Sequence, residues 1–163
     1  MLRCRPYLLF VVGLCACGGQ PAEPKNVRAA VDAITFRVDG TLDILRADNV
    51  LLSLDIEIAD TDSTRRRGMM DRQSFPPRSG MLFLFDEPRI QTFWMASTPL
   101  SLDLLFIGAD SQIVEFSKYA KPFSPDGISS RVPAQHVLEV PAGFVDTHGI
   151  IEGDRVKWQR IAE

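Results

Sequence analysis

The sequence has little cysteine and no excess of positive charge. Its three cysteines, Cys4, Cys15 and Cys17, all stand near the start of the 163 residues, so the rest of the chain has no disulfide framework. A formal net charge of −3 and a pI of about 5.4 argue against a protein that binds nucleic acid. With 45% hydrophobic and 24% charged residues, the composition is typical of one globular domain and excludes collagen, coiled-coil and disordered chains.

Several catalytic and cofactor motifs are also missing. The sequence contains neither a GxSxG nucleophile motif nor a phosphate-binding loop of the GxxxxGK[ST] or GxGxxG type. His136 and His148 have no neighbouring cysteine or HxxxH partner, so no zinc site is predicted. We therefore expect no metal and no cofactor.

The N-terminus carries the most specific signal. Arg3 and Arg5 precede a short apolar run, Tyr7–Leu14, and Gly18–Pro21 ends any extension of that run. A membrane-spanning helix needs about 20 apolar residues, so residues 1–17 are predicted to be a secretory signal peptide instead.

The end of this leader resembles a bacterial lipoprotein processing box, Leu14-Cys15-Ala16-Cys17. The resemblance implies lipid modification of Cys17 and an exported protein, anchored by its lipid to a periplasm-facing membrane of the cell envelope. Without the lipid, the protein would be periplasmic or secreted. Residues 18–30 lack apolar periodicity and are predicted to be a flexible tether. Residues 31–163 are predicted to form a single domain.

Hydrophobic patterning in that domain predicts many short strands. Apolar and polar residues alternate over Leu52–Ile58, and Gly80–Phe85 and Leu102–Ile107 are short apolar runs typical of buried strands. Further strands are predicted at Ile34–Val38, Leu42–Ile44, Thr92–Met95, Gln112–Tyr119, His136–Val140 and Arg155–Ile161. The first two of these and Leu52–Ile58 are predicted to form a β-meander. We expect an α+β, predominantly β fold: a compact antiparallel domain, barrel-like or sandwich-like.

One or two short helices complete this prediction. Thr61 can cap a helix that continues to Arg67, and Gly68 can end it. The three arginines at its end are interpreted as solvated side chains, with anion contact as the alternative. A second helical turn is expected between Pro141 and His148.

Motifs spread over residues 41–160 resemble the DUF192 family. They are Arg67-Gly68-Met69-Met70, Gly80-Met81-Leu82-Phe83-Leu84-Phe85, Phe93-Trp94-Met95, Leu102-Asp103-Leu104-Leu105-Phe106, Val137-Leu138-Glu139 with Ala142–Gly143, and Gly149 with Gly153–Asp154. The resemblance implies a small β-rich domain, often exported in bacteria, with no established activity. The family usually has Lys-Asn where this chain has Ala96–Ser97, so two side chains able to reach a ligand are missing.

Two carboxylates, Asp103 and Glu139, stand inside strand-like apolar runs. A buried carboxylate is costly unless it is hydrogen-bonded or paired. One interpretation makes them the acid and base of a hydrolase of an envelope polymer. The favoured interpretation makes each an anchor that accepts backbone N–H bonds or pairs with an arginine, the candidates being Arg67, Arg72 and Arg89.

Four methionines, Met69, Met70, Met81 and Met95, form a second candidate cluster. Thioethers are soft ligands suited to Cu(I), and copper handling is conceivable for an exported protein. Methionines near phenylalanines, however, more often pack a core, and that interpretation is favoured.

A third candidate is a ligand groove. Trp94 with Met95, Ser97, Thr98 and Asp103 offers an aromatic face beside polar groups, which suits a sugar or peptide. Trp94 could instead fill the core. The leading hypothesis is a non-catalytic, lipid-anchored envelope domain that binds a ligand or another envelope protein. The proposed face also includes Arg67, Met69 and Glu139; the hydrolase is the second hypothesis and copper binding the third.

Overall fold

The computed structural model describes residues 34–161, which contain nine strands and two short helices. The strands are β1 (Gly40–Arg46), β2 (Asn49–Ala59), β3 (Ser79–Arg89), β4 (Thr92–Phe93), β5 (Leu102–Ile107), β6 (Ile113–Ala120), β7 (Ile128–Ser129), β8 (Ala134–Pro141) and β9 (Arg155–Arg160). The helices are α1 (Asp62–Arg67) and α2 (Phe144–His148). The predicted signal peptide, Cys17 and the tether lie outside the described residues. No helix between residues 34 and 161 combines the length and the hydropathy needed to cross a membrane.

Seven strands form one sheet in the order β6-β5-β8-β3-β2-β1-β9, and β4 pairs with β7 in a small second sheet. The predominantly β prediction is confirmed. A bridge joins Gln112, which precedes β6, to Arg155, the first residue of β9, but the sheet of described strands does not close into a barrel. The sandwich-like alternative therefore describes the fold, and the barrel-like one does not.

The expectation of an entirely antiparallel sheet is wrong for one pair. β2 and β3 run parallel, with Ile56 opposite Gly80, because the chain between them crosses over through α1 and residues 68–78 instead of turning back directly. The predicted β-meander is correct only for the antiparallel pair of β1 and β2. Residues 34–38, predicted as a strand, precede β1 and have no regular structure.

Each face of the sheet packs a separate apolar core. The first core contains Leu42, Ile56 and Leu138, and α2 adds Phe144 and Val145 to it. The second core lies on the opposite face and contains Met69, Met81, Phe83, Met95 and Phe106. Met69 and Met95 come from the segments after α1 and after β4, so these segments cover the second face. This covering explains why the end of β2 is buried on both faces while its first half alternates.

The helix that begins the crossover forms as the sequence predicts. Thr61 caps α1: its hydroxyl accepts a hydrogen bond from the Thr64 amide at 3.2 Å, and the Thr64 hydroxyl accepts one from the Thr61 amide at 3.0 Å. Gly68 follows with φ of +46°, a conformation that favours glycine. A Cβ at Gly68 would lie 3.3 Å from the Phe83 ring, so the end of α1 packs closely on the second core.

Candidate functional site

A cleft of about 530 Å³ opens over the second core. Its walls are α1 with the turn that follows it, the end of β3, and the segment from Ile90 to Trp94. Glu139 of β8 reaches it from the sheet, and Thr98 contributes from the loop before β5. The crossover and the β3–β4 segment thus form the cleft between them, while the sheet supplies its floor.

The structure brings together part of the predicted site. Arg67, Met69, Trp94, Thr98 and Glu139 all line the cleft. The remaining predicted residues, Met95, Ser97 and Asp103, do not line it.

Each of those three has a different position. Met95 is buried in the second core. Ser97 is exposed in a turn with φ of +54°, and its carbonyl accepts a hydrogen bond from the Asp71 amide. Asp103 belongs to the other face of the sheet. The ligand contacts predicted for Met95, Ser97 and Asp103 are thus not supported by the cleft geometry.

Trp94 stands at the rim of the cleft and is 63% exposed. The alternative that it fills the core is therefore wrong. Below it, Phe93 meets the rings of Phe83 and Phe85 edge to face, at centroid distances of 4.9 and 6.5 Å. These aromatic side chains give the cleft an apolar wall that continues into the second core.

Among the described residues, four arginines line the cleft, and two of these already have carboxylate partners. Arg65 donates hydrogen bonds to the carbonyls of Asp60 and Leu84 and pairs with Asp62 at 2.7 Å. Arg67 pairs with Asp71 at 3.2 Å across two half-exposed side chains. Both guanidinium groups therefore have charge partners, and such exposed pairs contribute little stability.

Arg66 and Arg89 differ from these two. The Arg66 Nε donates to the Asp62 carbonyl at 3.2 Å, and the Arg89 guanidinium lies over the Phe85 ring, 5.4 Å from its centroid. Within residues 34–161 neither forms a salt bridge to a carboxylate, and both side chains are exposed. They can contact an anion at the mouth of the cleft.

Glu139 is the buried ionisable group of the site. It is only 5% exposed, and its Oε2 has no hydrogen-bond partner among the described residues. Burial raises the pKa of Glu139 to about 8, against the opposing effect of Arg72. At neutral pH the carboxyl is therefore mostly protonated and can donate a hydrogen bond.

Arg72 does not neutralise Glu139 because Glu57 already pairs with it. In the strand register Met81 lies between Glu57 and Glu139, so all three side chains share one face of the sheet. Arg72 binds both carboxylate oxygens of Glu57, with an Nη1–Oε1 distance of 3.1 Å. This buried ion pair satisfies Glu57 and leaves the Oε2 of Glu139 without a partner in the described part of the chain.

Asp103 and Glu139 do not face each other. Asp103 lies opposite Val140, and Leu104 lies opposite Glu139, so the two carboxyl groups point to opposite faces of the sheet. Asp103 is fully buried, where it accepts hydrogen bonds from the amides of Tyr119 at 2.9 Å and Val145 at 3.1 Å. It anchors β6 and α2, and the two carboxyls cannot flank one bond as the hydrolase hypothesis requires.

The methionines occupy positions typical of core side chains. Met69, Met81 and Met95 are buried in the second core beside Phe83, and Met70 lines the cleft. Thioethers in such surroundings pack favourably against aromatic rings. Between residues 34 and 161, no group of three or more His, Cys, Asp or Glu side chains is arranged to hold a metal ion.

Sequence reasoning missed the part of the site that comes from the end of β3. Phe85 and Arg89 lie on the same side of β3, since the Arg89 guanidinium lies over the Phe85 ring. The strand predicted from the sequence ends at Phe85, because Asp86-Glu87-Pro88 is typical of a turn. Alternation through Phe83 and Phe85 points next to Glu87, so no regular pattern in the sequence indicated Arg89.

Comparison with protein families supports the motif-based expectation. The DUF192 family model, described as "Uncharacterized ACR", matches residues 44–158, close to the span expected from the motifs. None of the curated proteins matches the chain.

Two crystal structures with similar folds come from bacteria. One, from Sinorhizobium meliloti 1021 and described as a "putative transcription regulator", is 37% identical with a TM-score of 0.70; the match covers 74% of this chain and 93% of that one. The other, a protein of unknown function from Novosphingobium aromaticivorans DSM 12444, is 29% identical with a TM-score of 0.69, and the match covers 72% of this chain and 84% of that one. The family model covers most of the chain and agrees with the motifs, so the chain belongs to the DUF192 family.

Proposed function

We propose that this protein is an exported, lipid-anchored envelope protein whose cleft binds a ligand without changing it chemically. The observation that carries the proposal is the Glu139 carboxyl, which is buried at the cleft with one oxygen unpartnered among residues 34–161. A buried polar atom without a hydrogen bond costs about 1–3 kcal/mol. A ligand that supplies the missing hydrogen bond would recover part of that cost.

Binding is favoured over hydrolysis because the described residues of the cleft include no two carboxyl groups suited to act as general acid and as base or nucleophile. Hydrolysis of a glycosidic bond uses two carboxyls about 5 to 9.5 Å apart. Asp103 is on the other face of the sheet, and Asp62, which also lines the cleft, is ion-paired with Arg65. Neither carboxylate is therefore suited to act as base or nucleophile beside Glu139.

The cleft can be tested as a binding site by amide NMR with a panel of neutral and anionic aromatic fragments. We expect fragment-induced shifts at amides that line the cleft, weakened in Trp94→Ala. Ile151→Ala is the matched control, since Ile151 is also an exposed apolar side chain but lies outside the cleft. Shifts confined to other surfaces, or equal losses in both variants, would contradict the proposed site.

Export and anchoring rest on the leader sequence and on Cys17. Expression of the full chain in a bacterium with a palmitate analogue in the medium should give a labelled, membrane-associated product that lacks the leader. Cys17→Ser should abolish the label, whereas Cys4→Ser, in the part that is removed, should retain it. An unlabelled product that still begins at Met1 would contradict this part of the proposal.

A further inference from the structure

We infer that the ligand is a small organic anion with an apolar body. Its anionic group lies against Arg66 and Arg89, and a polar atom of its body hydrogen-bonds to Glu139. The inference rests on the proposed function and names the chemistry of the ligand for the same cleft.

The first argument is the charge of the cleft. Among the described residues, four arginines line it, against the carboxyl groups of Asp62 and Glu139 only, although the whole chain has a net charge of −3. Positive charge is thus concentrated at the cleft of an acidic protein, and such a concentration attracts anions. Arg66 and Arg89 are the cleft arginines that lack carboxylate partners within residues 34–161, so they remain able to pair with a ligand.

The second argument is the geometry of Arg89. Its guanidinium lies over the Phe85 ring, and a stacked guanidinium keeps its N–H groups free at its edge. These groups can donate two parallel hydrogen bonds to a carboxylate or a phosphate. Arg65 also lies over this ring, 5.5 Å from the centroid, so both guanidinium groups contact Phe85.

The third argument is the apolar surface behind the arginines. Phe93 and Phe83 form an edge-to-face pair along the wall, and Trp94 presents its ring at the rim. Aromatic walls of this kind favour flat or apolar ligand bodies. An inorganic anion alone would leave this surface and Glu139 without contact.

The fourth argument is the volume. A cleft of about 530 Å³ falls in the range of about 300–1,000 Å³ that holds small molecules. The structure therefore fits a soluble organic acid better than a two-chain phospholipid, which carries a similar anionic group on a much larger body.

The test compares two probes of the same shape and different charge. Calorimetric titration of the full chain with a hydroxynaphthoate and with the matching carboxamide should give at least ~10-fold tighter binding of the carboxylate. The double variant Arg66→Ala, Arg89→Ala should remove this preference. Arg155→Ala should retain it, because Arg155 is an exposed arginine outside the cleft.

The outcomes separate this inference from the proposed function. Equal binding of acid and amide overturns the anionic ligand and leaves the cleft as a binding site. Binding of neither probe, together with absent cleft shifts in the fragment panel, overturns both. Arginine-dependent binding to phosphatidylglycerol vesicles, with no binding of the soluble acid, overturns the assignment to a small soluble ligand.

The contact with Glu139 has its own readout. The naphthoate without a hydroxyl should bind more weakly than the hydroxynaphthoate by ~5-fold in the native chain. Glu139→Gln, which can still donate a hydrogen bond, should retain this difference, whereas Glu139→Leu should abolish it. A difference that persists in Glu139→Leu would overturn the proposed contact.

Discussion

Two carboxyl residues with the same sequence signature have opposite roles. Asp103 and Glu139 both interrupt apolar runs, and this pattern correctly predicts burial for both. Asp103 accepts hydrogen bonds from two backbone amides, whereas Glu139 lines the cleft and its buried Oε2 has no partner within residues 34–161. The sequence could not separate them because the difference depends on what covers the face of the sheet to which each side chain points, and tertiary packing is not encoded in local periodicity.

The raised pKa of Glu139 predicts how stability changes with pH. The folded chain holds this proton up to a pKa of about 8, compared with the usual value of 4.5, so the folded state binds more protons between these values. The free energy of unfolding should therefore fall as pH rises through this window, by at most about 5 kcal/mol at about 1.4 kcal/mol per pH unit. Below the window this loss is absent, and above it the loss is complete.

Glu139→Gln should remove this dependence, because the amide does not ionise. Urea unfolding, followed by tryptophan fluorescence at several pH values, measures the free energy of unfolding of both proteins. We expect this free energy to rise in Glu139→Gln relative to the native chain as the pH rises. Glu152→Gln is the matched control, since Glu152 is exposed. Parallel curves for Glu139→Gln and the native chain would contradict the burial argument.

Among the elements, local signals predicted α1 better than they predicted the sheet. The cap at Thr61 and the glycine at Gly68 stand where expected. Pro88, in contrast, lies within β3, which continues to Arg89; the pairing with β8 shifts register between Leu84 and Arg89. A proline has no N–H to donate to the hydrogen bonds between strands, so a strand that continues through Pro88 could not be expected. For the same reason the position of Arg89 in the cleft was not predicted.

The pairing of β1 with β9 requires a glycine at one position. A Cβ at Gly40 would lie 2.3 Å from the carbonyl oxygen of Gln159, a backbone atom that cannot move without disturbing β9. Gly40→Ala should therefore lower the free energy of unfolding by about 1–3 kcal/mol.

Gly127→Ala is the matched control, because its Cβ would meet only the Thr92 side chain at 3.4 Å. Chemical denaturation of both variants measures the difference. Equal stability of the two variants would show that β1 and β9 do not approach each other closely at Gly40.

At the scale of the molecule, the fold class and the family could be predicted from the sequence. Only some of the residues that line the candidate site could be predicted in this way. Alternation and short apolar runs were sufficient for a β-rich domain, but they left the barrel-like and sandwich-like alternatives open. The cleft is built by the crossover after β2 and the segment after β3, which meet over the second core. Arg67, Met69 and Trp94 were found because they belong to motifs. Arg66 and Arg89 come to line the same cleft only through tertiary packing.

The net negative charge of the chain predicts that it does not bind nucleic acid. The chain has a net charge of −3, and binding to duplex DNA depends on several simultaneous phosphate contacts. We expect no binding to a short DNA duplex at physiological ionic strength by fluorescence anisotropy. Tight binding that Arg66→Ala weakens but Arg155→Ala does not would contradict this expectation and assign the arginines to phosphates of nucleic acid.

The order of the strands has a consequence for the timing of folding. β9 is the last strand of the described chain, yet it pairs with β1, the first, so this edge of the sheet cannot form until nearly all of residues 34–161 have been synthesised. Pairings between such distant segments form slowly because a long loop must close first. Until then the sheet is incomplete, which suits the export proposed above, because an incompletely folded chain can be threaded through a narrow translocation channel.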